Sequence, residues 1–186
     1  FDQSEGSQVK PVVGGLDAQL AGKASIADNG PSGKAYPDFG AKNAALMLSG
    51  SGQFARIKDP GANSVLDFSQ GDSITMEAWV NPKTMGTYSY VIGKGRTGNS
   101  GQKADNQNYS LRLAKLGSSA GITFLFRDAK NSGDNSWHRW TSKTGFALGV
   151  WHHVAISYTF GKPETILGYI DGEPVQGGWD KGGATD

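Results

Sequence analysis

From residue 45 onward, short runs of alternating apolar and polar residues are separated by Gly, Asn, Asp, Ser and Pro. A period of two is the signature of strands that bury one face. Ser73 to Val80 is the clearest case: Ile74, Met76, Ala78 and Val80 share one face, and Thr75, Glu77 and Trp79 share the other. Asn81-Pro82 ends it, because proline has no amide to give to a ladder. Ala45-Leu46-Met47-Leu48, before Ser49-Gly50-Ser51-Gly52, and Phe54-Ala55-Arg56-Ile57, before Asp59-Pro60-Gly61, are shorter strands bounded by turn chemistry. Tyr88 to Ile92, Tyr109 to Leu113 and Ile122 to Arg127 follow, with Arg112 and Arg127 marking a partly wet face. His138 to Ser142 begins a further strand that Phe146-Ala147-Leu148 interrupts or caps. The strand from Trp151 to Tyr158 passes through a Gly161-Lys162-Pro163 turn into one that ends Gly168-Tyr169-Ile170-Asp171-Gly172, an Asp-Gly hairpin signal. Residues 128 to 136 are a polar loop. So are residues 93 to 108, and a loop of that length within a compact domain is often functional. Residues 1 to 40 are a loop-rich stretch with one or two edge strands around Val12-Val13, Leu16, Leu20 and Ile26.

Eight to ten short strands with turns between them predict an all-β, two-sheet antiparallel sandwich. At 186 residues, with 28 glycines and 10% aromatics, the chain suits a single domain over 1–186, its core strands lying at about 41–175. A formal charge of +1 gives no net field to draw nucleic acid or an anionic membrane. No apolar run approaches the roughly 20 residues that span a bilayer, so no direct membrane span is expected. There are no cysteines, which removes disulfides, thiolate metal sites and a Cys nucleophile. The chain starts at Phe1, so a processed or excised segment is expected.

Five segments in order carry a family resemblance: Ala45-Leu46-Met47-Leu48-Ser49-Gly50, Ile74-Thr75-Met76-Glu77-Ala78-Trp79-Val80, Tyr109-Ser110-Leu111-Arg112-Leu113, Trp151-His152-His153-Val154-Ala155 and Tyr169-Ile170-Asp171-Gly172. Over about residues 40 to 175 the chain resembles a laminin G-like domain, one of the concanavalin A-like lectin/glucanase jelly rolls. The resemblance implies a jelly-roll sandwich, usually a non-catalytic module of a secreted or surface protein that binds glycans, proteins or calcium. Gly93-Lys94-Gly95-Arg96, Asp105-Asn106-Gln107-Asn108-Tyr109, Trp137-His138-Arg139-Trp140 and Thr159-Phe160-Gly161-Lys162-Pro163 resemble a bacterial subtype found in large extracytoplasmic proteins, some of them with cytochrome-type modules. An extracytoplasmic location, periplasmic, secreted or at the cell surface, is implied with it. Two departures stand out. Leu48-Ser49-Gly50 replaces a Phe-Asp-Gly of many relatives, which removes an acidic ligand. The family's closing strands, typically ending Gly-x-Ile-Asp-Glu-Val, are not found before Asp186, so a C-terminally incomplete sandwich is expected, its gap filled by further residues or a partner.

Candidate chemistry narrows the function. Glycoside hydrolysis needs two facing carboxylates roughly 5–10 Å apart. Glu77 stands alone on its strand, and Asp171 and Glu173 fall in a hairpin turn, so no catalytic residue is assigned. Gly117-Ser118-Ser119-Ala120-Gly121 fits a hydrolase nucleophile pattern in letters but joins two strands instead of a strand and a helix. Gly93-Lys94-Gly95-Arg96-Thr97-Gly98 fits a dinucleotide pattern without the helix it requires, and Asn108-Tyr109-Ser110 fits a glycosylation sequon to which no weight is given. His152 and His153 are neighbours that point to opposite faces and do not grip one ion. Calcium remains open at two loops, Asp59, Asn63 and Asp67 in one, Asp105, Asn106 and Asn108 in the other, where turn-forming Asp and Asn are the alternative. Trp137-His138-Arg139-Trp140 is the densest local cluster. With Arg96, Asn106, Asn108, Arg112 and Arg127 it forms a candidate polar-aromatic groove, unless one Trp plugs the sandwich and the arginines lie along its surface. The resulting expectation is a non-catalytic recognition or assembly module for a glycan or protein partner. A glycan-active hydrolase and a structural subunit of a larger complex are the alternatives.

Overall fold

The computed structural model describes residues 4–5, 7–13, 15–50, 52–95 and 107–182. Its strands in chain order begin with β1 (Ser4–Glu5), β2 (Gln8–Val9), β3 (Ala18–Ala21), β4 (Ser25–Ala27), β5 (Ala45–Met47) and β6 (Phe54–Ile57). They continue with β7 (Ser73–Val80), β8 (Tyr88–Lys94), β9 (Tyr109–Leu116), β10 (Ser119–Arg127), β11 (Trp137–Phe146), β12 (His152–Thr159), β13 (Lys162–Ile170), β14 (Glu173–Val175) and β15 (Gly177–Lys181). The chain divides into two compact units, Phe1–Ser64 and Val65–Asp186. In the first, β1-β2-β3-β6 form one antiparallel sheet and β4 pairs with β5. Among the described residues, no helix is long and apolar enough to cross a membrane.

The second unit is an antiparallel sandwich of the jelly-roll class. One sheet has the order β15-β11-β10-β9-β8, the other β14-β13-β12-β7. The alternation read from the sequence decides what lies between them. Ile74 and Met76 from β7, Leu111 and Leu113 from β9, Ile122, Phe124 and Phe126 from β10, and Val154, Ile156 and Tyr158 from β12 form one buried cluster. Thr75, Glu77 and Trp79 of β7 point the other way and are exposed, as the period of two requires. β7 pairs with β12 over eight consecutive residues without a shift of register. The Asp-Gly hairpin is also present: Asp171 and Gly172 have φ of 53° and 82°, the paired positive values of a tight turn matched to strand twist.

Four expectations need correction. β11 is one strand from Trp137 to Phe146, ending at Phe146 without interruption before it. Its pairing with β10 slips between Thr141 and Gly145, and β15 pairs only with Arg139 to Ser142. The turn between β12 and β13 is Phe160-Gly161, with Gly161 at φ 84°, so Lys162-Pro163 already belong to the strand. β8 extends to Lys94, one residue past Gly93, where the polar loop was expected to begin. Beyond residue 175 a further strand, β15, closes one edge of the five-stranded sheet.

Candidate functional site

The outer face of the five-stranded sheet, away from the core, gathers most of the chemistry. Cross-strand register sets Tyr90 of β8 opposite Arg112 of β9, Arg112 opposite Thr123 of β10, and Thr123 opposite Thr141 of β11. A four-strand row of side chains results, and Tyr88 and Arg139 stand beside it. The Tyr88 ring meets two guanidiniums: Arg112 Cζ lies 4.4 Å from its centroid and Arg139 Cζ 5.1 Å. Arg112 Cζ is also 5.6 Å from the Tyr90 centroid. Such cation–π contacts strengthen as the cation loses water.

Hydrogen bonds fix the margins. A shift of register between Arg139 and Trp140 turns Asp180 of β15 onto this face. There its Oδ1 accepts from Arg139 Nε at 2.7 Å and its Oδ2 from Thr141 Oγ1 at 3.0 Å. The Asp180 carboxylate holds the Arg139 guanidinium above its ordinary value, against a smaller opposing effect of burial. Thr123 Oγ1 donates to Trp140 O at 2.7 Å. On the opposite margin, Tyr90 Oη donates to Gln107 Oε1 at 2.6 Å, while the Gln107 amide donates to Lys94 O and Tyr109 O.

Strand parity divides the Trp137–Trp140 cluster. Trp137 and Arg139 lie on the outer face. Trp140, 4% exposed, is part of the core, and buried His138 stacks on Phe126 with centroids 4.7 Å apart. His138 Nε2 lies 2.6 Å from Asp128 Oδ2, and Asp128 Oδ1 accepts from the Asn131 amide at 2.6 Å. Burial pushes the Asp128 carboxyl up, but its hydrogen bonds with His138 and Asn131 outweigh that and hold it at about 2. An ionised carboxylate only accepts, so Nε2 carries the hydrogen in this pair.

Arg127 belongs to a different place. Its Nε donates to Ser136 Oγ at 2.9 Å, and its Cζ lies 5.1 Å from the Trp137 ring centroid. With Asn108, Asp67, Gln70 and Lys130 it lines an open cleft of about 470 Å³. Arg96, Asp105 and Asn106 fall outside the described residues. Among the calcium candidates, Asp67 is paired with Lys94. Asp59 Oδ1 accepts from the Gly61 amide at 3.0 Å, an Asp-centred turn, and Asn63 has φ 61°. Among the described residues no three His, Asp or Glu side chains group as a metal site. Of the histidine neighbours, His152 Nδ1 meets Asp171 Oδ2 at 2.6 Å and His153 Nε2 lies 3.5 Å from Glu77 Oε2. Tyr88, Tyr90, Gln107 and Asp180 did not stand out in the sequence. Tyr88-Ser89-Tyr90 did carry a signal, since two aromatics two apart on a strand share a face.

The family model described as the Concanavalin A-like lectin/glucanases superfamily, of laminin G type, matches residues 49–186. The chain belongs to this superfamily. No curated protein and no solved structure matches it.

Proposed function

We propose that this member of the concanavalin A-like superfamily is a non-catalytic recognition module that binds a glycan on the outer face of its five-stranded sheet. The observation that carries this is the pair of exposed rings Tyr88 and Tyr90, set with Arg139 and Thr141 around the buried Arg112–Thr123 pair of the same row. Tyrosine rings offer flat apolar faces with a polar tip, and arginine offers directional bonds to hydroxyls, a combination that sugar rings need. The superfamily supports a glycan or protein ligand. A binding role is supported over hydrolysis by Asp180, whose two oxygens are both engaged by Arg139 and Thr141. Binding of glycans goes with an extracytoplasmic setting, which a chain without cysteine suits.

The test is a glycan array followed by calorimetry on the hits, with Tyr88→Ala and Tyr90→Ala. Each substitution removes a stacking surface, and a loss of roughly 1 kcal/mol, about fivefold in affinity, is expected. Release of reducing sugar by the purified protein, abolished by Glu77→Gln, would replace this function with hydrolysis.

A second role, docking into a larger assembly, is favoured by β7. It is an eight-residue edge strand, paired only with β12 among the described residues and free of bulge and proline. Such edges accept another strand. Amide exchange along 73–80 that slows only at high protein concentration or with a partner would support it; concentration-independent exchange there would not.

A further inference from the structure

The outer face carries one charge that nothing described on it neutralises. Arg139 is joined to Asp180, but Arg112 has no carboxylate partner among the described residues. Arg112 is only 5% exposed, and its Nε and Nη2 are both buried without a hydrogen-bond partner among the described residues. Burying an uncompensated cation is costly. Burial pulls this guanidinium below its ordinary value; Tyr90 and Tyr88 offset part of the fall and Arg139 adds to it.

The identity of the two unpartnered nitrogens narrows the ligand. Nε and Nη2 form the side-on edge of a guanidinium, and their N–H bonds run parallel. That edge matches the two oxygens of a carboxylate in a planar, two-bond contact. A neutral sugar hydroxyl would satisfy one donor and leave the charge in place.

We infer that the glycan recognised here is an acidic one, and that the Arg112 Nε–Nη2 edge receives the carboxylate of a uronic acid. The inference rests on the glycan-binding role proposed above. Tyr88 and Tyr90 both pack on the Arg112 guanidinium, so a carboxylate that reaches it displaces one of these rings. Tyr90 is the more exposed of the two at 45%, and it is anchored through its hydroxyl to Gln107. Arg139, already satisfied by Asp180, lies 5.1 Å from the Tyr88 ring centroid and adds positive field beside it. The site therefore reads a carboxylate against a neutral sugar by leaving a buried donor pair unmatched in the wrong ligand.

The experiment titrates the intact chain with oligogalacturonate and oligoalginate, with the same oligosaccharides after carboxyl reduction, and with dextran sulfate. Arg112→Lys, which keeps the charge but not the fork, is measured alongside, its folding checked by thermal unfolding. Carboxyl reduction and Arg112→Lys are each expected to weaken binding of a uronate oligosaccharide by roughly tenfold or more. Equal affinity for native and reduced oligosaccharides overturns the inference and leaves glycan binding intact. Dextran sulfate binding as tightly as the uronates, unaffected by Arg112→Lys, reduces the site to non-specific ion exchange and also overturns it. Binding to no glycan at all overturns both proposals. Should Arg112→Lys fail to fold, the comparison of native with reduced ligand on the unaltered protein decides.

Discussion

The buried Asp128–His138 pair makes folding stability depend on pH in a calculable way. Asp128 is held at about 2 in the folded protein against an ordinary 3.8. A carboxyl depressed on folding contributes stability that is complete above its unfolded value and is lost as pH falls through its folded value. The window is therefore from about pH 5 down to about pH 2. The difference between 3.8 and about 2 corresponds to roughly 2 kcal/mol, at about 1.4 kcal/mol per pH unit. Asp128→Asn removes the titration and keeps the shape. The variant is expected to be less stable by roughly 2 kcal/mol near pH 7, with the gap to the unaltered protein closing as pH approaches 2. Urea unfolding of both proteins at a series of pH values measures the gap, since the titrating groups that do not contact Asp128 cancel in the difference. A gap that stays constant to about pH 2, or widens toward it, would refute the assignment of Asp128 as an ionised buried acceptor.

Three further outcomes follow from the packing. An added Cβ at Gly177 would lie 2.1 Å from Trp140 Cζ2 and 2.7 Å from the Thr141 carbonyl, so Gly177→Ala should cost about 1–3 kcal/mol, read as a lowered thermal midpoint. Arg112→Met removes an uncompensated buried cation and should raise the unfolding free energy by about 1 kcal/mol while abolishing uronate binding, in denaturation and calorimetry on the same sample. Asp180→Asn frees Arg139 from its counter-charge, so uronate binding should tighten at low ionic strength and the gain should fade in high salt.

The sequence made some of this legible and hid the rest for physical reasons. β7 could be read because four apolar residues alternate with polar ones and Pro82 marks the end. The Asp171-Gly172 turn could be read because few other dipeptides accept two successive positive φ values. β15 could not. Gly177-Gly178-Trp179-Asp180-Lys181 has a single large apolar side chain and no alternation. Its place comes from Trp179 packing on the core and from hydrogen bonding to β11, both long-range effects. For the same reason Asp180 could not be linked to Arg139, 41 residues away. The aromatic cluster at 137–140 was visible as a concentration of chemistry, but with a Trp at both parities the pattern could not say which one faced the core.

That division by parity is what lets one sheet serve two ends. Along β11, His138, Trp140 and Ser142 turn inward, where His138 meets Asp128, Trp140 fills the core and Ser142 Oγ accepts from the Ile122 amide at 3.0 Å. Arg139 and Thr141 turn outward, where both are bound by Asp180. On β9 the same alternation sets Leu111 and Leu113 in the core and Arg112 between them on the other face. A rigid, well-packed inner face therefore fixes the spacing of the outer one to the strand repeat, which holds the proposed binding row in register. The cost falls on Arg112, whose burial favours neither folding nor solubility. A cation kept in such a place, on a face preorganised by register, is better explained by what it binds than by what it stabilises.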